Sequence, residues 1–371
     1  MRVASEADLV EAVRSAAGPL SLRGGNTRGM AGTGTALSLA GLRGITLYEP
    51  GALTLVAQAG TPVAEIETAL TAEGQRLAFE PMDHRALMGT TGEPTIGGVF
   101  AANVSGPRRL AVGAARDFLL GVRYVDGQGN IVKNGGRVMK NVTGYDLVKL
   151  LAGSRGTLGA LTEVSLKVLP EPETSATLVL SDLDDPAAIA AMAQAMRSPF
   201  EVTAAAHDPA QRRTYLRLEG FEASVTYRIG RLKDLLSATG AALESLAAKP
   251  STTLWRDLRD VTALHGAQGD VWRVHCRPTE APALAAKAGA EAHLYDWAGG
   301  LIWLRMAPGA DLRARLGRYN GHATLLRADE AAQALPRQEP EAPGVARLTA
   351  GLRAKFDPRG IFNAEALALS T

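Results

Sequence analysis

The apolar positions of residues 1 to about 77 follow helix spacing and strand spacing in turn. Ser5 precedes acidic Glu6 and Asp8 and then apolar residues at helical spacing, which predicts an N-capped helix that ends at Gly18-Pro19. A second helix is predicted to open at Thr61-Pro62. Short apolar runs predict strands at 20–23, 35–39, 45–48 and 53–58. These residues therefore form a first small unit that mixes strands with helices.

Residues 78–172 carry the signals of a second unit. Two apolar runs, 121–125 and 130–132, flank Asp126-Gly127, which predicts a β-hairpin. Residues 144–152 have the pattern of a short helix that Gly153 stops, and residues 158–169 alternate as a strand does. Two prolines within residues 170–173 mark a domain boundary there.

The remainder of the chain has fewer turn signals. Helices are predicted at 187–196 and 231–248, and strands at 214–218, 224–229, 271–276 and 300–306. This order predicts a ferredoxin-like α+β domain over residues 175–330. Prolines within 334–345 indicate a linker, and residues 345–356 form a final helix.

Composition narrows the class of protein. The chain has 371 residues, of which 46% are hydrophobic, and a net charge of +2 without a basic block, so no nucleic-acid partner is expected. Its one cysteine, Cys276, excludes an intramolecular disulfide and a self-contained iron–sulfur cluster. A signal peptide is not expected, because the first residues include Glu6 and Asp8, and no apolar run reaches about 18 residues. The expected location is the cytoplasm, either free or at the inner face of the membrane through a partner.

Two glycine-rich loops carry the first chemical signal. Residues 23–30 follow a predicted strand, and residues 90–107 contain Thr95, Gly97 and Gly98. Glycine lets backbone N–H groups approach an anion, so two such loops suit an elongated ligand with a central diphosphate, such as FAD. The alternatives are an ordinary turn and a loop that leads into a helix. The chain contains no Gly-Lys-Ser/Thr phosphate loop and no Gly-x-Gly-x-x-Gly fingerprint after a strand.

A third glycine-rich segment occupies residues 153–164, between a predicted helix and a predicted strand. Its glycines recur every third residue, and close helix–strand packing is the alternative to ligand contact. In this order, the three segments resemble the FAD-binding domain of the PCMH-type, vanillyl-alcohol oxidase-like flavoproteins. The segments at 106–121, 138–147, 295–304, 321–324 and 356–363 are similar to the E-subunit family of bacterial glycolate oxidases.

The resemblance implies a fold and a domain plan. The fold is α+β, with a two-subdomain PCMH-type domain over residues 1–172, divided into 1–77 and 78–172. A ferredoxin-like second domain for substrate or partner follows over 175–330. Residues 331–371 return to the first domain as a linker and helix. Relatives end in Phe-Asn-Pro-Gly, whereas Phe362 and Asn363 are followed here by Ala364 and Glu365, which leaves the contacts of that tail open.

The resemblance also implies a cofactor and its contacts. FAD is expected to be bound non-covalently, because the first loop lacks the histidine that attaches flavin in some relatives. The expected cofactor-binding residues are Arg23, Gly24, Gly25, Asn26, Thr27, Gly29, Met30, Thr95, Gly97, Gly98, Asn103, Gly106, Gly156 and Leu161.

The implied activity is the oxidation of glycolate, or of a related 2-hydroxy acid such as D-lactate, to the 2-oxo acid. The expected partners are a larger FAD-binding subunit and an iron–sulfur subunit that takes the electrons. Alternatively, the chain holds FAD or acts as a scaffold without catalysis, or it is a stand-alone oxidase. His322 and Arg305 are candidates for contacts with substrate, although each suits a structural role as well. The six histidines show no metal-ligand spacing, so no metal site is expected.

Overall fold

The computed structural model describes residues 1–29, 32, 34–137 and 144–363. Met30 and the greater part of the segment at 138–147 lie outside the described residues. The helices are α1 (Glu6–Ser15), α2 (Val63–Thr71), α3 (Arg85–Met88), α4 (Ile96–Ala101), α5 (Arg109–Val112), α6 (Ala115–Phe118), α7 (Leu147–Leu151), α8 (Asp185–Met196), α9 (Glu222–Leu236), α10 (Ala248–Arg259), α11 (Ala281–Ala288), α12 (Leu312–Leu316) and α13 (Pro343–Phe356). The strands are β1 (Leu20–Arg23), β2 (Thr35–Ser38), β3 (Ile45–Glu49), β4 (Thr54–Gln58), β5 (Gln75–Arg76), β6 (Leu119–Val125), β7 (Ile131–Gly135), β8 (Ala160–Lys167), β9 (Leu169–Pro170), β10 (Thr174–Ser181), β11 (Ala204–Asp208), β12 (Arg213–Gly220), β13 (Ala242–Leu246), β14 (Asp270–His275), β15 (Ala292–Asp296), β16 (Leu301–Met306) and β17 (His322–Arg327).

The chain divides into two compact units. The first comprises residues 1–105, 114–171 and the chain from 340 onward, and the second comprises 106–113 and 172–339. The grouping of residues 106–113 with the second unit was not predicted from the sequence.

The first unit contains a five-stranded antiparallel sheet in the order β3-β4-β8-β6-β7 and a parallel pair, β1 and β2. Helix α1 begins as predicted, because the Ser5 hydroxyl accepts from the Asp8 N–H at 3.1 Å and the Asp8 carboxylate accepts from the Ser5 N–H at 2.9 Å. Its buried face includes Leu9 and Val13, which belong to the same core cluster as Phe362. The C-terminal segment is therefore part of this unit's core.

The second unit is built from two copies of one motif. The run β10-α8-β11-β12-α9-β13 is a βαββαβ unit, and β14-α11-β15-β16-α12-β17 repeats it. Together they form one eight-stranded sheet in the order β13-β10-β12-β11-β15-β16-β14-β17. Strands β11 and β15 join the two halves at the pair His207 and Tyr295. The α+β class is confirmed, with two ferredoxin-like motifs where the sequence indicated one.

Two predictions in this unit are wrong. Residues 224–229, predicted as a strand, lie within α9, whose buried Val225, Ile229, Leu232 and Leu236 recur at helical spacing. The predicted helix over 231–248 instead covers the end of α9, then β13, then the first residue of α10. Gly240 adopts φ 73° after α9, and this left-handed residue redirects the chain into the edge strand.

Candidate functional site

A cleft in the first unit gathers the first two glycine-rich segments. Its space measures about 560 Å³, including volume open to solvent. Its lining residues are Leu22, Arg23, Gly24, Gly25, Asn26, Thr27, Arg28, Met82, His84, Pro94, Thr95, Gly98, Val99 and Val104. The loop after β1 thus forms one wall, and the segment that leads into α4 forms another.

Close backbone contact between these two loops explains their glycines. A Cβ on Gly25 would lie 1.6 Å from the carbonyl oxygen of Glu93, and one on Gly92 would lie 1.7 Å from that of Gly25. A Cβ on Gly24 would lie 2.2 Å from Thr95 Oγ1. No side chain fits at these positions unless the loops separate, so the glycines hold the two walls together.

The residues at the start of α4 have distinct roles. The Thr95 side chain caps the helix by accepting from the Gly98 N–H at 3.3 Å. Gly97 is buried, and its N–H donates to the Ala59 carbonyl at 2.8 Å, so that N–H is already satisfied within the protein. Gly98 faces the cleft, and a Cβ there would lie 4.0 Å from Arg28 Nη2.

Arg28 lines the cleft, and Arg155 lies close enough for its charge to act on Arg28. The Nη1 atoms of Arg28 and Arg155 are both buried and have no hydrogen-bond partner among the residues that the structure describes. Burial, and then the charge of Arg155, lower the pKa of Arg28 to about 10. Burial alone lowers the pKa of Arg155. A buried guanidinium nitrogen without an acceptor is unfavourable, so this pair suits an anionic ligand such as a diphosphate.

Asn363 fixes the third glycine-rich segment against β1. Its Oδ1 accepts from the Leu22 N–H at 2.8 Å, and its Nδ2 donates to the Arg155 carbonyl at 2.8 Å. Arg155 has φ 56°, and a Cβ on the next residue, Gly156, would lie 2.9 Å from Asn363 Nδ2. Asn363 therefore positions the backbone of both Leu22 and Arg155.

Sequence reasoning did not select Arg28, Arg155 or Asn363 as site residues. All three lie in segments that it did select, the first loop, the third glycine-rich segment and the Phe-Asn tail. These three residues differ from their neighbours in having a buried polar side-chain atom. Burial depends on tertiary contacts, which the sequence does not show.

Of the predicted cofactor-binding residues, seven line the cleft. They are Arg23, Gly24, Gly25, Asn26, Thr27, Thr95 and Gly98. Five others lie in the same unit outside this lining, namely Gly29, Gly97, Asn103, Gly156 and Leu161. Among these, Asn103 accepts from the Arg116 N–H at 2.9 Å through Oδ1, and Leu161 is buried in β8. Gly106 groups with the second unit, where its carbonyl accepts from Trp297 Nε1 at 3.1 Å.

The two candidates for substrate contact lie in the second unit. His322 is exposed and stacks on His275 with ring centroids 4.5 Å apart. Burial, with the charges of Arg273, His322 and Arg109, lowers the pKa of His275 to about 2, so its imidazole is neutral at pH 7. Arg305 pairs with Glu291, with Nε and Oε2 3.3 Å apart. The structural alternative for Arg305, a salt bridge, is thus the one observed.

The described residues contain neither a cluster of metal ligands nor a membrane-spanning helix. No three His, Cys, Asp or Glu side chains within 1–29, 32, 34–137 and 144–363 come together as metal ligands. In the same ranges, no helix has both the length and the apolar character that crossing a membrane requires.

Known proteins are similar to this chain in sequence. Residues 1–135 match the family model described as FAD binding domain. Glycolate oxidase subunit GlcE of Escherichia coli (strain K12) is 35% identical over 351 residues, which cover 93% of this chain and 91% of that protein. Glycolate oxidase subunit GlcD of Bacillus subtilis (strain 168) is 38% identical over 127 residues, 34% of this chain and 26% of that protein. The similarity to GlcD is thus confined to about a third of this chain.

A solved structure supports the fold. A VAO-type flavoprotein from Myceliophthora thermophila C1 superposes with a TM-score of 0.66 at 14% identity, and the match covers 97% of this chain and 77% of that one. The vanillyl-alcohol oxidase-like fold expected from the three glycine-rich segments is confirmed.

Proposed function

Because this chain belongs to the family of the glycolate oxidase subunit GlcE, we propose that it is the FAD-binding subunit of a glycolate oxidase complex. The complex oxidises glycolate, or a related 2-hydroxy acid such as D-lactate, to the corresponding 2-oxo acid. The chain has an FAD binding domain over residues 1–135.

The observation that carries this proposal is the charge of the cleft in the first unit. Arg28 and Arg155 approach closely enough for one charge to lower the pKa of the other, and each has a buried Nη1 that meets no acceptor among the residues the structure describes. The diphosphate of FAD would supply acceptors for these two Nη1 atoms. The backbone of residues 24–27 lines the same cleft, where glycine permits close approach.

When bound, FAD supplies two-electron redox chemistry. The chain's own residues orient and hold it. Arg28 would neutralise phosphate charge, and Asn363 keeps the Arg155 backbone against β1. The first loop contains no histidine, so we infer that the flavin is held without a covalent bond.

The electrons leave through partner subunits. The chain has one cysteine, and an iron–sulfur cluster needs about four thiolates, so an iron–sulfur subunit is proposed as the acceptor. A larger, GlcD-type flavin subunit is proposed as the second partner. We propose a cytoplasmic location, with any attachment to the membrane made through these subunits, which cell fractionation with and without the partners tests.

A second candidate is a subunit that holds FAD but does not oxidise substrate. The observation that favours it is the salt bridge of Arg305 with Glu291, because a paired arginine is not poised for a substrate carboxylate. Oxidation of the 2-hydroxy acid would then take place on the larger flavin subunit.

One experiment tests both proposals. The chain is purified alone, its flavin spectrum is recorded, and glycolate or D-lactate is added without oxygen. Bleaching of the flavin supports catalysis by this chain, whereas reduction that requires the partner subunits supports the second candidate. A colourless chain that FAD does not reconstitute overturns both, and colour that stays on the denatured chain overturns non-covalent binding.

A further inference from the structure

Strand β14 presents basic side chains on the face of the sheet away from its core. Trp272 and Val274 are fully buried in the core cluster of the second unit, so Arg273 and His275, which alternate with them, face the other side of the sheet. His275 pairs in register with His322 of β17, and their imidazole rings stack with centroids 4.5 Å apart. Neighbouring strands therefore bring three basic side chains together outside this core.

The indole ring of Trp297 is the common neighbour of this cluster. The Cζ atoms of Arg109 and Arg273 lie 4.6 Å and 5.1 Å from the ring centroid, and the centroid of the His275 ring lies 5.2 Å from it. In the same unit, the Trp297 Nε1 donates to the Gly106 carbonyl at 3.1 Å. That hydrogen bond holds the segment that brings Arg109 to the ring.

The backbone holds Trp297 in a conformation that residues with side chains rarely adopt. Trp297 and Ala298 have φ 51° and 53°, in the left-handed region that favours glycine. Asp296 is buried, and its Oδ1 accepts from the Trp297 N–H at 2.7 Å, which fixes this turn between β15 and β16. Strained residues of this kind are concentrated at ligand-binding sites, because the surrounding structure must maintain them. The strain at Trp297 therefore favours a functional role for its ring.

Positive charges converge beside this ring. Burial, and then three positive charges, lower the pKa of His275, so that its imidazole is neutral at pH 7. Those charges belong to Arg109, Arg273 and His322. Cations held this close repel one another, and an anion between them offsets that repulsion. Arg109 and Arg273 are partly exposed and His322 is exposed, so a small solute can reach them. The cluster therefore suits an anionic ligand that also packs on an aromatic ring.

We propose that Arg109, Arg273 and His322 bind the carboxylate of a small organic acid beside the Trp297 ring. A guanidinium group matches a carboxylate with two parallel N–H donors, and an arginine stacked on an aromatic ring presents that fork in a fixed orientation. His275 is a positioning residue, because its neutral ring stacks on His322 and adds no charge. The identity of the acid rests on the proposed function, from which we expect a 2-hydroxy acid or its 2-oxo product.

The test is calorimetric titration of the flavin-loaded full chain with oxalate, a two-carbon acid that has no alcohol group to oxidise. Wild-type chain is expected to bind a single oxalate. Arg109→Gln and Arg273→Gln are each expected to lower the affinity by at least about tenfold, because each removes a charge-assisted hydrogen bond. The matched control is Arg277→Gln, because that side chain is 67% exposed and its Nη1 lies 4.0 Å from Glu280 Oε1. The oxalate affinity of this control is expected to equal that of wild type.

Flavin content and thermal midpoint, measured for every variant, make the outcomes separable. Loss of oxalate binding by both arginine variants at wild-type flavin content and midpoint supports the proposal. It is overturned if wild-type chain does not bind oxalate, if Arg109→Gln keeps wild-type affinity, if Arg277→Gln loses as much, or if inorganic phosphate binds equally well. Should Arg273→Gln fail to fold, Arg109→Gln decides, since that side chain is partly exposed. A chain that takes up no FAD but binds oxalate through Arg109 contradicts the proposed function and leaves this site standing.

Discussion

Buried charge is the property that distinguishes individual residues in this protein. Arg28 and Arg155 are each half of a like-charged pair, whereas arginines such as Arg43 lie at the surface beside a carboxylate. A like-charged pair with buried nitrogen atoms is unfavourable until an anion joins it. The pair therefore links the stability of the cleft to its ligand.

The first prediction concerns Arg28. Arg28→Ala is expected to lower FAD affinity by about 10- to 100-fold, the loss that follows removal of one charged hydrogen bond. Titration of the apoprotein with FAD, monitored by flavin fluorescence, measures this affinity. Arg43→Ala is the control, since Arg43 pairs with Glu65 at 2.8 Å and is half exposed. Equal affinities of Arg28→Ala and wild-type chain would contradict the assignment.

The second prediction concerns pH and His275. In the folded state the pKa of His275 is about 2, whereas in the unfolded chain His275 binds its proton below about pH 6.5. Stability therefore falls as pH drops below about 6.5, by up to about 1.4 kcal/mol per pH unit from this site. In urea unfolding at pH 7.5, 6.0 and 5.0, His275→Asn is expected to gain stability relative to wild type as pH falls. Parallel pH curves for the two proteins would refute this account.

At the scale of elements, the cleft depends on the contact between two loops. The two loops are closest at Gly25, because a Cβ added there would lie 1.6 Å from the Glu93 carbonyl oxygen. Gly25→Ala is expected to separate the loops, lower the thermal midpoint and abolish flavin retention on gel filtration. Gly18→Ala is the control, because a Cβ there meets nothing within 4 Å. A Gly25→Ala protein that stays yellow would show that the loops tolerate separation.

The seam between the two ferredoxin-like motifs depends on a partly buried acid, Asp185. Asp185 Oδ2 accepts from Tyr295 Oη at 2.6 Å and lies 2.9 Å from His293 Nε2. Burial opposes ionisation of this carboxylate, but His207, His293 and Tyr295 outweigh burial and hold its pKa well below the ordinary range. The carboxylate therefore joins α8 to β11 and β15 in its charged form.

The fourth prediction follows from the lowered pKa of Asp185. Asp185→Asn is expected to cost about 2 kcal/mol of unfolding free energy at pH 7. A lowered pKa stabilises the fold above the unfolded value of about 3.9, and this contribution is lost as pH falls through the folded value. The difference from wild type should therefore narrow below about pH 4 in denaturant titrations. Asp182→Asn, at an 84% exposed side chain, should change little at any pH.

Local signals account for the elements that the sequence predicted correctly. Helix α1 has its cap within four residues, and the β6–β7 hairpin has Asp126-Gly127 at its turn. Helix α9 was misread because its β-branched residues favour strands, while the burial that decides the matter comes from packing. The loops of the cleft were predictable from their glycines. The approach of Arg28 to Arg155 was not, since it joins two separate loops.

At the scale of the whole chain, the first unit is discontinuous in sequence. It includes residues 1–105, 114–171 and the chain from 340 onward. The Leu20 N–H donates to the Ile361 carbonyl at 2.7 Å, and the Asn363 N–H donates to the Leu20 carbonyl at 3.1 Å. Residues 361–363 thus extend the backbone pairing of β1.

The fifth prediction tests whether residues 361–363 hold the first unit together. Asn363→Ala removes both side-chain hydrogen bonds and leaves the Arg155 carbonyl without that donor. We expect a loss of about 1–3 kcal/mol in unfolding free energy and faster release of FAD on dilution. Asn320→Ala, which removes an exposed contact with Glu280, is the comparison. Unchanged FAD release by Asn363→Ala would mean that the tail stabilises the unit without holding the cofactor loops.

The position of Asn363 also sets an order of events during biosynthesis. The last of the three glycine-rich segments, which ends at residue 164, leaves the ribosome well before residues 361–363, and at about 5–20 residues per second the interval is roughly 10 to 40 seconds. Throughout that time, β1 lacks its backbone hydrogen bonds with residues 361–363, and the Arg155 carbonyl lacks its donor. Until residues 361–363 are in place, the loops expected to hold the flavin lack the contacts of Asn363. A nascent chain stalled before Asn363 is therefore expected to release FAD faster than the full chain.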